Sequence, residues 1–300
     1  MKDSKVLPHL AALTAMLIWG GSYVWSSQVF QTLGPSTTVF MRLIISSIFL
    51  WCIIMITRRQ EKIQRQHVGL FFLASFLEPF LYFIGESYGL TRVSPTICSA
   101  IIATIPLFAP FAAFFIIKER IGICNIIGLI ISFLGVIIML INKDLELAAS
   151  PIGLAFLFSA VIVAVFYGIT LKKLTMNYNP VTIVTMQNSI GIIYFLPFML
   201  LTERHELSNV LLVENYIIPL LLLGILASSI AYVLYTYCVE KLGVSRSNVY
   251  ANVIPIFTLI FSHILIKEEI TIYKVIGVIT VIAGLILSQL NLKKKHYDYK

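Results

Sequence analysis

Charge is what this sequence is short of. Only 12% of its 300 residues are Asp, Glu, Lys or Arg, where a soluble domain carries roughly 25%. A surface facing water cannot be covered with so little charge, so the solvent for most of the chain is lipid. Cysteine is scarce too. Cys52, Cys98, Cys124 and Cys238 lie in or beside apolar runs, with no CxxC pair and no neighbouring histidine, and read as small buried residues, not disulfides or metal ligands. The five histidines (His9, His67, His205, His263, His296) are scattered. There is no HExxH, no GxSxG and no phosphate-binding glycine loop, which removes the usual bases for a membrane enzyme, a cofactor or a nucleotide-driven machine. The longest polar stretches, Arg58 to His67 and Glu203 to Asn215, leave no room for a soluble domain. Strand-like alternation is missing as well, which excludes a barrel.

What the chain does have is apolar residues, 59% of the total, and a mean hydropathy of +0.93. At about 20 residues per crossing, the runs divide into spans at 10–30, 36–57, 68–89, 95–117, 121–141, 152–171, 180–201, 216–239, 247–266 and 275–292. The expected fold is therefore an all-α integral membrane protein of ten transmembrane helices. No cleavable signal peptide is evident, and the first run is expected to stay as an anchor. With the N-terminus inside, 16 of the 22 Lys and Arg fall on the inner side and 5 on the outer, Arg42 itself lying within a span. This bias places both termini in the cytoplasm. It also explains the net charge of +8 by attraction to an anionic lipid surface, with no need for nucleic acid.

One stretch occurs twice. Residues 105–135 and 254–284 align at a fixed offset of 149, which brings Pro106 onto Pro255, Lys118-Glu119 onto Lys267-Glu268, Gly128 onto Gly277 and Gly135 onto Gly284. A proline, a charged pair and two glycines in step mark an internal duplication, with halves at 1–145 and 146–300. Five spans per half is an odd number, so the second half enters the membrane from the opposite face. Two similar halves of opposite orientation can exchange conformations to face either side, which points to a transporter.

The first span carries Trp19-Gly20-Gly21-Ser22-Tyr23, followed by Pro35 and Arg42; Pro106 and Glu119 come later, echoed by Gly168, Pro180, Met186, Pro255 and Glu268. This pattern resembles the EamA family of the drug/metabolite transporter superfamily over nearly the whole chain. The resemblance implies two inverted five-helix repeats around a central cavity, and movement of a small solute such as an amino acid, a purine-type metabolite, S-adenosylmethionine or a drug. It also implies a leaning toward export, often by exchange with protons. The repeats differ, since Tyr167-Gly168 replaces Trp19-Gly20 and Gln187 stands where Arg42 stands.

Three charged residues fall well inside spans: Arg42, Glu78 and Glu86. A charge at the bilayer centre costs about 2.5–3.5 kcal/mol on insertion scales, so each is a functional candidate. Glu78 and Glu86 are spaced to share a helical face, and Arg42 lies at the depth of Glu86, where an ion pair is expected. Glu78 is the candidate for proton coupling, able to load and release a proton as water access alternates. Trp19, Tyr82, Tyr167, Tyr232 and Tyr235, with Gln187, Asn188 and Asn252, are the expected cavity lining. Tyr23 and Tyr88 read as interfacial anchors, and His263 as a solvated or capping histidine. Asn252 adjoins Pro255, whose missing amide donor is expected to free a carbonyl. Pro106 and Pro255 are the expected hinges, Pro110 adds a kink, and the paired glycines mark close helix contacts. The function that follows is export of a small metabolite across the cytoplasmic membrane by alternating access, with the bilayer and the solute as partners and no metal. A passive channel, a lipid scramblase or a membrane enzyme are the rival classes.

Overall fold

The computed structural model describes residues 6–58, 61–108, 123–140, 150–205 and 216–289. Ten helices occupy these residues: α1 (Leu7–Val29), α2 (Pro35–Thr57), α3 (Arg65–Leu90), α4 (Pro95–Phe108), α5 (Ile123–Leu140), α6 (Pro151–Thr175), α7 (Pro180–Thr202), α8 (Ile217–Leu242), α9 (Val244–Ile266) and α10 (Ile272–Ser288). Eight are long and apolar enough to cross a membrane; the described parts of α4 and α10 are shorter. Lys118-Glu119 and Pro110 lie outside the described residues. Pro35, Pro95, Pro151 and Pro180 each open a helix, at a position whose amide would have no partner in any case. Ser94 and Asn179 add side-chain caps, accepting from the amides of Ile97 at 3.4 Å and Thr182 at 2.9 Å. Only Gly243, at φ +83, separates α8 from α9, in a backbone conformation that a side chain would strain.

The second and the fifth helices of the two halves pack against their counterparts in opposite directions. In the second-helix pair, Ser36 of α2 meets Thr202 of α7 at 3.3 Å while Trp51 donates to Ser189 at 3.1 Å, so the two run antiparallel. In the fifth-helix pair, Gly128 of α5 meets Gly284 of α10 and Gly135 meets Gly277. A Cβ at Gly284 would lie 2.5 Å from the Gly128 carbonyl oxygen, and one at Gly135 would lie 2.8 Å from that of Gly277. Only glycine permits backbones this close, and van der Waals contact is the main force that holds helices together in lipid. Ser132 closes the seam by donating to the Val281 carbonyl at 3.0 Å. Antiparallel pairing of equivalent helices is the inverted repeat that five spans per half implied.

The second helices also clasp each other's starts. Glu203, just after α7, accepts from the amides of Ser36 at 3.1 Å and Thr37 at 2.8 Å at the start of α2. At the other end of the bundle Glu61, after α2, accepts from the amide of Asn179 at 2.9 Å, the N-cap of α7. A carboxylate at a helix N-terminus satisfies otherwise unpaired amides and opposes the helix dipole.

The third and fourth helices of each half are interrupted. Both α3 and α8 contain wide π-type turns at matching depth, Phe76–Leu81 and Leu222–Ala231. In α3 the interruption has a visible cause: Pro79 lacks an amide donor and Glu78 is extended, at φ −143 and ψ 119. The fourth helix breaks at a turn over 103–104 in α4 and at the 3-10 stretch Val249–Val253 in α9, just before Pro106 and Pro255. The outer faces stay apolar, with Ile56, Leu201, Ile218 and Ile279 exposed where lipid would cover them.

Candidate functional site

The interruptions surround a cavity of about 760 Å³, part of it open, reached by α1, α2, α3, α4, α6, α8 and α9. Its direction follows from two contacts. His9 near the start of α1 hydrogen-bonds Tyr250 near the start of α9, and Thr258 further along α9 donates to the Gly20 carbonyl at 3.1 Å. The two helices are therefore parallel and begin at one end of the bundle. The cavity extends toward that end past Tyr235, Asn248 and Ala251. Its inner end is Tyr23 and Glu86, beyond which Leu90, Val93 and Ile97 are buried.

Glu78 lies in the wide turn of α3, 8% exposed. Its carboxylate accepts a hydrogen bond from Tyr232, and its backbone carbonyl accepts from Gln187 Nε2 at 3.2 Å. Tyr167 reaches the Gln187 side-chain oxygen at 3.4 Å. Behind Tyr167 and Tyr232, a much smaller chamber, with room for about one water molecule, is bounded by Glu78, Pro79, Val184, Gln187 and Asn188. Glu78 thus borders both spaces.

Arg42 is 3% exposed. Its Nε donates to Ser228 Oγ at 2.7 Å, and its guanidinium lies 4.4 Å from the centre of the Phe83 ring. Ser228 belongs to the wide turn of α8, whose freed backbone groups are well occupied. Asn188 Nδ2 donates to the Ser228 carbonyl at 2.9 Å and to Ser46 Oγ at 2.6 Å. Trp19 Nε1 donates to the Ala227 carbonyl at 3.2 Å, and its ring meets Tyr232 and Tyr235 at 5.1 and 5.2 Å between centroids. Such side-chain partners are what a widened turn needs inside a membrane.

Glu86 is half-buried on the cavity wall and accepts from Tyr82 at 2.8 Å. The Tyr23 side chain lines the cavity beside the same carboxyl. The expected Arg42–Glu86 ion pair is not formed: the salt bridges among the described residues join Lys241 to Glu240 and Lys274 to Glu268. Ser228 and Phe83 hold the guanidinium on its own side instead. Among the described residues no group of three His, Cys, Asp or Glu is placed to hold a metal.

A profile of the EamA-like transporter family matches residues 6–141 and again 151–290. The chain belongs to that family. It is a membrane transporter of the drug/metabolite superfamily, and two EamA domains fit the two halves seen in the packing. An uncharacterized transporter of Archaeoglobus fulgidus is 26% identical over 274 residues, covering 91% of this chain and 95% of its own. The Bacillus subtilis uncharacterized transporter YcxC is 24% identical over 306 residues, covering 98% and 96%. A solved crystal structure superposes with a TM-score of 0.71 over 95% of this chain and 98% of its own, at 14% identity, which speaks for the fold alone.

Within this EamA chain, Trp19, Arg42, Glu78, Tyr82, Tyr167, Tyr232, Tyr235 and Pro106 all line the main cavity. Gln187 and Asn188 stand one layer back, in the smaller chamber. Asn252 faces neither space: it is 5% exposed, and its Oδ1 has no hydrogen-bond partner. The carbonyl expected to be freed by Pro255 is not open, because the Ala251 oxygen accepts from the Ile254 amide in the 3-10 turn. Pro255 itself sits in the first turn of a helical segment and does not line the cavity. Tyr23 was expected at the membrane interface and instead faces Glu86; its spacing of four from Trp19 puts both on one face of α1 and was the available signal. Tyr88 does lie near an end, where it bonds Ser36 at 2.8 Å and Glu203 at 3.2 Å. His263 is exposed near the end of α9, against the Glu268 carbonyl at 3.2 Å.

Proposed function

We propose that the chain exports a small polar metabolite across the cytoplasmic membrane by alternating access, with both termini in the cytoplasm and a proton carried by Glu78. The single observation behind this reading is a cavity walled by both repeats and bordered by all four interrupted helices. Residues 1–145 and 146–300 are the two halves that rock against each other, with Pro106 and Pro255 marking where α4 and α9 bend. The cavity's extension toward the end where α1 begins supports an inward-facing state. Trp19, Arg42, Tyr82, Tyr167, Tyr232 and Tyr235 meet the solute. Gln187 and Asn188 hold the wide turns from behind, and Asn252 acts within the helix packing.

Reconstitution into liposomes tests the whole reading. A carrier gives counterflow of labelled solute and accumulates it when a proton gradient is imposed, whereas a channel or scramblase only equilibrates it. Glu78→Gln is expected to keep counterflow and lose the response to the gradient; a full response in that variant removes Glu78 from coupling. Tags after Asn142 and Leu292 are expected in opposite compartments.

A further inference from the structure

Two opposite charges share the main cavity without meeting. Arg42 is almost wholly buried on α2, and its only close polar contact among the described residues is the neutral Ser228 hydroxyl, at 2.7 Å. Glu86 stands on the α3 wall of the same cavity, where it accepts from Tyr82 at 2.8 Å and has Tyr23 beside it. A buried charge without an opposite partner is costly, and inside a membrane such residues ordinarily pair with one another or serve a substrate path. These two do not pair. Arg42 lines the cavity, and its Nε bond to Ser228 leaves the two terminal guanidinium nitrogens as further donors, the pair that grips a carboxylate with two parallel bonds. The Ser228 backbone is pinned in turn by Asn188 at 2.9 Å and Ser46 at 3.1 Å, so the guanidinium cannot easily swing toward Glu86.

We infer that Arg42 and Glu86 are the two poles of a receptor for a dipolar solute, with its carboxylate on Arg42 and its ammonium on Glu86. Its uncharged body lies against the rings of Trp19, Tyr232 and Tyr235. The inference rests on the main cavity being the transport site. A solute carrying only a carboxylate leaves Glu86 uncompensated, and one carrying only an ammonium leaves Arg42 so. Glu78 stays outside this recognition because its carboxylate is engaged by Tyr232 and borders the second chamber.

The test uses the purified full-length protein in detergent, read by thermal unfolding and tryptophan fluorescence. Alanine, leucine and phenylalanine are each compared with the amine left by removing the carboxylate and the acid left by removing the amine. In at least one of the three sets the zwitterion is expected to bind roughly tenfold or more tightly than either singly charged analogue. Arg42→Gln is expected to abolish the preference over the amine alone, and Glu86→Gln the preference over the acid alone. A merely structural role for either residue would weaken all three ligands together. An amine or an acid that binds the unmodified protein as tightly as its zwitterion overturns the inference, as does the absence of binding in all three sets. Counterflow in proteoliposomes is scored separately: binding with the expected pattern but no counterflow removes the carrier reading and leaves the receptor standing.

Discussion

The wide turn of α3 and the wide turn of α8 are met by the opposite half in the same way, yet with different chemistry. Arg42 and Gln187 occupy matching places on α2 and α7, 145 residues apart, as do Ser46 and Gly191. Arg42 reaches Ser228 in the α8 turn, and Gln187 reaches the Glu78 carbonyl in the α3 turn. Next to them Ser46 meets Ser229 at 2.6 Å, while a Cβ on Gly191 would lie 2.5 Å from Pro79. The duplicated frame thus fixes where contacts fall and leaves their chemistry open. The first half carries both charges, Arg42 on its second helix and Glu78 in its wide turn; the second half answers with hydroxyls in its turn, Ser228 and Ser229, and an amide, Gln187, on its second helix. That inequality puts the Glu78 carboxyl between the two spaces and the Arg42 guanidinium on the wall of the main cavity.

The likeness of the halves is most sharply tested at the seam of α5 and α10. Gly284→Leu is expected to cost about 3 kcal/mol through overpacking, and Gly128→Leu the same, since each glycine faces the other; thermal unfolding in detergent compares them. A large loss at one and none at the other breaks the symmetry. The unlikeness is tested at the turns. Asn188→Ala strips donors from the Ser228 carbonyl and the Ser46 hydroxyl and is expected to destabilise by about 2 kcal/mol. Ser228→Ala is expected to weaken solute binding by about 1.5 kcal/mol, roughly tenfold, while leaving the response to a proton gradient intact, the reverse of Glu78→Gln. A Ser228→Ala protein that loses gradient response instead makes the two turns functionally alike. Smallest of all, Ile279→Val on the exposed face of α10 is expected to change stability by under about 0.5 kcal/mol.

The helices, their number and the inverted repeat were legible because lipid imposes them: apolar runs of fixed length, basic loops on one side, and glycines wherever backbones touch. Pro79 was the available signal for the interruption in α3, which breaks the continuous helical face that the spacing of Glu78 and Glu86 implied. The matching turn of α8 carries no proline, only Gly224 and two serines in an apolar run, and its existence depends on Asn188, Ser46 and Trp19 arriving from three other helices. The separation of Arg42 from Glu86 was hidden for the same reason, since a charge count cannot reveal that Ser228 and Phe83 hold the guanidinium on its own side. Glu61 and Glu203 read as ordinary loop residues. Their partners lie 118 and more than 160 residues away in sequence, a distance that local patterns do not span.

The glycine seam obeys the rule of a self-complementary interface, in which position i of one surface meets j of the other while j meets i. A free half of this chain, inserted in both directions, therefore carries both glycines that this contact uses. The covalent link between halves then keeps two diverged partners in fixed proportion, one bearing the charges of Arg42 and Glu78 and the other the neutral side chains of Ser228, Gln187 and Tyr232 that meet those two residues.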